Sequence, residues 1–183
     1  AQDDLTPMFK AEDYVEQHVI DKADEILGEN VVRPLLNQIE CHLKERQYWK
    51  SDEDQHAAHI FKEAAKYLAS VDKNKSFFMW IDCFDPHEPW DAPSVYDPDK
   101  KCMYDPDYKG KDMFLPIQAH VEGMYTDEEL HHIRMLYAEK LTNVDKWFGH
   151  LTRAIHDLGL ESNTMVMLVS DHGSPMGKGE HGH

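Results

Sequence analysis

Residues 76–84 read Ser76-Phe77-Phe78-Met79-Trp80-Ile81-Asp82-Cys83-Phe84, "SFFMWIDCF", and only Ser76 and Asp82 are polar. A short, continuously apolar run rich in aromatics suits a strand buried on both faces, as in a parallel sheet. Residues 163–170, "NTMVMLVS", repeat the pattern. Between the two runs lie a long loop and a long helical segment. Strand, loop, helix and strand form a βαβ unit, whose crossover is right-handed. The expected fold class is therefore α/β, a parallel-stranded sheet flanked by helices. In such sheets ligands bind outside the carboxyl ends of the strands. "FDPHEPW" follows the first run and "SDHG" the second, so parallel strands would bring both motifs to one edge.

The helical segments follow from periodicity. "DYVEQHVIDKADEIL" spaces Val15, Val19, Ala23, Ile26 and Leu27 helically, with Gly28 as a cap, and a second short helix is expected after Pro34. From Asp52, the residues Ala57, Phe61, Ala64, Ala65, Leu68 and Val71 share one face of an amphipathic helix. Thr126 and Glu129 form a T-x-x-E capping box that opens a long helix. Apolar residues recur every three or four positions from Leu130 to Leu158, and Gly159 ends it. Residues 1–50 read as a variable, mostly helical excursion. Residues 52–183 read as helix, strand, long loop, helix, strand and loop, so the chain is expected to be part of one domain.

The chemistry lies in the two motifs. Asp171 and His172 offer a carboxylate oxygen and an imidazole nitrogen, and Gly173 lets the backbone turn after them. Oxygen with one nitrogen suits Mn²⁺, Mg²⁺, Ca²⁺ or Zn²⁺. His87 stands between Pro86 and Glu88-Pro89, which restrict the backbone around the imidazole. A held histidine binds an anionic oxygen or donates a proton. Asp85 and Asp91 read as loop-structuring or solvent-facing, and Trp90 as a pocket wall or simple packing. His56/His59 and His131-His132 fall among charged helical residues and read as surface groups. No G-x-S-x-G elbow is present, and no cysteine, serine or threonine stands in an activating context.

Residues 85–125 are rich in proline and aspartate, and a loop of that length is usually functional. Tyr96, Tyr104, Tyr108 and Phe114 either contact a substrate or pin the loop to the surface.

Bulk composition narrows the classes. The 183 residues suffice for one domain with a real core. Hydrophobic residues make up 41% and charged residues 30%, as in soluble globular proteins. A formal net charge of -16 disfavours a nucleic-acid partner, because phosphate binding needs a basic face. No apolar run approaches the roughly 20 residues of a membrane span. No signal peptide is visible, and cytoplasmic, periplasmic and secreted compartments all stay open. Cys41, Cys83 and Cys102 are scattered and odd in number, against a disulfide scaffold or zinc ribbon.

Three stretches resemble the sulfatase branch of the alkaline-phosphatase superfamily, over roughly residues 53–183. They are "KSFFMWIDCFDPHEPW", the helix-to-strand stretch from Tyr137 to Gly173, and "SDHGSPMGKGEHG". The resemblance implies an alkaline-phosphatase/sulfatase-like fold and hydrolysis of a sulfate ester at a divalent metal ion, Ca²⁺ or Mn²⁺ first, then Mg²⁺ or Zn²⁺. It matches Asp171 and His172 to metal ligands. It matches His87 to the histidine that contacts the sulfate or phosphate group, and it places His181 near the pocket on the substrate side. The family's nucleophile is usually a formylglycine, made in a C/S-x-P/A-x-R box toward the N-terminus of the family's chain. That box and an early aspartate pair are absent here, and Lys178 comes too early to match the family's active-site lysine. The chain is thus expected to be an internal fragment, inactive alone, and a poor holder of metal. Histidine at position 172 also occurs in phosphonate and phosphate diester hydrolases among the relatives. The alternatives are therefore a phosphonate monoester or phosphodiester hydrolase of the same superfamily, and a non-catalytic ligand-binding remnant. The expected partner is a small sulfate or phosphate ester.

Overall fold

The computed structural model describes residues 10–117, 123–174, 176–177 and 180–181. Four α-helices dominate them: α1 (Gln17–Leu27), α2 (Glu29–Arg46), α3 (His56–Ser70) and α4 (Asp127–Asp157). A single antiparallel pair follows, β1 (Met176–Gly177) with β2 (Glu180–His181).

α1 and α2 meet at Gly28, whose φ of 86° lies in the region that side chains avoid. α2 begins at Glu29, ahead of the expected start after Pro34, and runs through that proline. The proline removes one backbone hydrogen bond. Burial of Val32, Ile39 and Leu43 on one face of α2 offsets that loss. α3 presents Ala57, Ala58, Phe61 and Leu68 to its partner α4, much as its period predicts.

α4 starts where the capping box places it. The Thr126 hydroxyl accepts the Glu129 N–H (3.2 Å), and the Thr126 N–H donates to the Glu129 carboxylate (2.7 Å). Its end is a Schellman turn: Gly159, at φ 70°, donates to His156 O (2.8 Å), and Leu160 donates to Ile155 O (3.0 Å). α4 joins two cores. Its first half packs Ile133 and Leu136 with α1, α2, Trp90 and Phe114. Its second half packs Trp147, Leu151 and Ile155 against α3.

The expected parallel-stranded α/β sheet is not observed. Residues 76–84 and 163–170 are extended, but the described residues contain no strand paired with either. A strand buried on both faces needs a hydrogen-bonded neighbour at each edge and cover on each side. Here Met79, Ile81 and Cys83 pack on the α3–α4 core, while Phe78 (83% exposed) and Trp80 (79%) point away. Met165 and Met167 to Val169 are exposed as well. Apolar continuity foretold two buried faces; the structure half-buries one face of the first run. The convergence of the two motifs, argued from parallel strands, loses its basis with the sheet. No helix among the described residues is long and apolar enough to cross a membrane.

Candidate active site around His87

The loop from Asp85 to Asp91 carries His87, and both of its ends are held by buried charge. Asp85 accepts the Ala57 N–H (3.0 Å), in the first turn of α3, where a carboxylate also meets the positive end of the helix dipole. Its other oxygen lies 3.1 Å from Lys140 Nζ. The same ammonium donates to Asp91 Oδ2 (3.0 Å) and Gln55 Oε1 (3.3 Å). Arg46 grips Asp91 from α2, through Nε to Oδ1 and Nη2 to Oδ2 (3.3 Å). Asn143 donates to Gln55 Oε1 (2.6 Å). Two carboxylates and two cations thus cancel inside the molecule, which is what makes their burial tolerable. Asp85 and Asp91 structure the loop and do not face solvent. Both Asp85–Pro86 and Glu88–Pro89 are cis. Trp90 packs, at 1% exposure, with its indole N–H donating to Pro86 O (2.9 Å).

Within this frame His87 stacks on Phe84, with ring centroids 4.3 Å apart. Its Nδ1 lies 2.8 Å from Glu88 O and 3.4 Å from the buried Glu88 carboxylate. A carbonyl oxygen only accepts, so Nδ1 carries its proton. An anion at Nε2 therefore requires the imidazolium. His87 and Glu88 line a cleft of ≈ 160 Å³ between α2 and residues 115–117, to which His42 also contributes.

Asp171 and His172 follow the second extended run and are exposed. The His172 N–H donates to Asp171 Oδ1 (2.9 Å), and His172 Nδ1 lies 3.0 Å from Gly173 O. Nδ1 again faces a carbonyl, which directs metal ligation to Nε2. Among the described residues no three His, Cys, Asp or Glu side chains group closely enough to hold a metal ion. The donor types of Asp171 and His172 fit a hard or borderline cation, but these two residues do not make a complete site. His181 lies in β2, with its backbone paired to Met176. Lys178 lies outside the described residues.

Several residues of the frame escape a reading of motifs. Lys140 and Asn143 occupy the buried stripe of α4 that runs through Ile133, Leu136, Trp147 and Leu151, and Arg46 falls on the stripe of Ile39 and Leu43 in α2. Charge at an apolar position was the available signal. His132 corrects the sequence reading outright, because it is 1% exposed. It is held between Asp105 (2.9 Å) and Asp112 (2.7 Å) and stacks on Tyr108 at 3.8 Å. Burial would lower its pKa, but the two carboxylate hydrogen bonds win and raise it. Asp112 is pushed down in turn: the His132 and Ser94 hydrogen bonds outweigh burial. These contacts pin the long loop to α4. Tyr104 bonds Thr142 (2.7 Å) and Phe114 is fully buried, so the loop's aromatics anchor it.

With this geometry in view, comparison with known proteins decides the family. The family profile described as Sulfatase matches residues 13–183. The chain belongs to the sulfatase family. An arylsulfatase of Clostridium perfringens is 26% identical over 153 residues, covering 76% of this chain and 31% of that protein. An endo-4-O-sulfatase of Bacteroides thetaiotaomicron is 28% identical over 147 residues, covering 73% and 27%. Arylsulfatase K of Danio rerio is 31% identical over 62 residues, covering 34% and 12%. The chain thus spans about a third of the length of the first of these sulfatases. No solved structure matches it.

Proposed function

We propose that the protein hydrolyses a sulfate ester and that His87 binds the ester's charged group. The observation that carries this reading is the loop bearing His87, fixed at both ends by the Asp85–Lys140–Asp91–Arg46 network. Preorganised donors cost no rearrangement when charge develops, which is how such groups accelerate a reaction. With Nδ1 turned to the Glu88 carbonyl, the ring presents Nε2 to the ester, and in its protonated form it meets an anionic oxygen with Nε2–H. Membership of the sulfatase family and the arylsulfatase and endo-4-O-sulfatase relatives support the choice of ester.

Asp171 and His172 would hold a divalent cation, Ca²⁺ or Mn²⁺, together with donors from the rest of the protein. The ion, when bound, supplies Lewis-acid stabilisation of charge on the ester oxygens. The nucleophile, a formylglycine in this reading, would come from outside this chain.

The test is to assay the full-length protein on an aryl sulfate and an aryl phosphodiester side by side, with D171A and H172A as controls. The reading expects turnover of the sulfate to predominate. Either substitution should cut kcat by about a hundredfold or more. Preference for the phosphodiester would replace the sulfatase assignment with the phosphodiesterase one. An undiminished kcat in D171A and H172A would remove the metal role from these residues.

A further inference from the structure

The cleft beside His87 has a second histidine that no motif assigns. His42 sits on α2 one turn from Ile39 and two from Leu35, and all three line the cleft with His87, Leu115 and Ile117. Arg46, one turn further on, places Nη1 3.2 Å from His42 Nδ1. A guanidinium only donates, so His42 Nδ1 must accept. The ring proton is then on Nε2. The nearest carboxylate oxygen, of Glu45, is 3.8 Å from Nδ1, beyond hydrogen-bonding reach.

Arg46 is itself immobile. It is 2% exposed and gripped by Asp91, the residue that ends the His87 loop. His42 and His87 therefore hang from one buried carboxylate on two sides of a single cleft. Burial first, and then the Arg46 charge, lower the His42 pKa and keep the ring neutral. A neutral N–H suits a hydroxyl or ether oxygen, and the anion is left to His87. Leu35, Ile39, Leu115 and Ile117 give the wall an apolar stretch that suits a carbon skeleton, beside the polar Gln38 and Glu88.

We propose that His42 donates a hydrogen bond from Nε2 to an oxygen on the alcohol portion of the ester, and so helps to select the substrate. This rests on the reading of His87 as the ester's anion contact.

The experiment is steady-state kinetics of the full-length protein on 4-nitrocatechol sulfate, with inorganic sulfate as competing inhibitor. H42N, H42Q and H87A are compared with the wild type. Asparagine has no donor at the Nε2 position, whereas the glutamine amide places one there. The expected result is a KM raised about tenfold in H42N, the size of one lost hydrogen bond. H42Q should recover most of that loss, and the sulfate inhibition constant should stay within about twofold in both. An unchanged KM in H42N, equal impairment of H42N and H42Q, or weakened sulfate inhibition in H42N would each overturn the proposal. H87A reads the underlying assignment separately. Unweakened sulfate inhibition in H87A would remove His87 from the anion and leave the His42 effect to be judged on its own.

Discussion

Lys140 occupies a position in α4 that Leu136 and Trp147 mark as apolar, and it satisfies two buried aspartates there. Removing one partner of a buried ion network leaves the opposite charge unpaired, at a cost of about 3–5 kcal/mol. K140A should lose about that much in denaturant unfolding; a loss under about 1 kcal/mol would show that water replaces the ammonium. His132 gives a prediction in pH. Its raised pKa contributes stability fully present below the ordinary histidine value and lost as pH rises through the folded value. The depressed Asp112 contributes stability present above the ordinary carboxylate value and lost as pH falls through its folded value. The latch is thus strongest between those limits. H132N should lower Tm more at about pH 5.5 than at about pH 8.5, and an equal deficit at both would contradict the ionic account. His132 was illegible as a buried residue because it falls in a segment that also carries Asp127, Glu128, Glu129 and Arg134. Its partners lie 20 and 27 residues away in an irregular loop, where no periodicity reports them.

At the level of elements, helices were legible and strands were not. α4 announces itself through Thr126, Glu129 and Gly159, because caps are local chemistry with a fixed spacing. T126A should cost about 1 kcal/mol, measured by urea unfolding, since it strands the Glu129 N–H. A change within about 0.2 kcal/mol would mean that water satisfies this end. The start of α2 was misplaced because proline is a good first-turn residue, and Pro34 drew the boundary toward itself. The runs at 76–84 and 163–170 misled for a different reason. Apolar continuity reports that side chains prefer to leave water. It does not report a hydrogen-bonded neighbour, and a sheet consists of neighbours.

For the whole molecule, the candidate site was legible in part. The proline-flanked His87 and the Asp171-His172 pair were visible as motifs, since each is a few adjacent residues. The frame that fixes the His87 loop was not, because Arg46, Gln55, Ala57, Lys140 and Asn143 come from three helices and the segment before α3. The helices thus build a rigid seat for one histidine, with a neutral histidine across the cleft. The most direct measurement is kcat/KM of the full-length protein on 4-nitrocatechol sulfate, wild type against H87A. If His87 binds the charged group, kcat/KM falls by about a hundredfold or more in H87A. A value within about twofold of wild type would contradict the account.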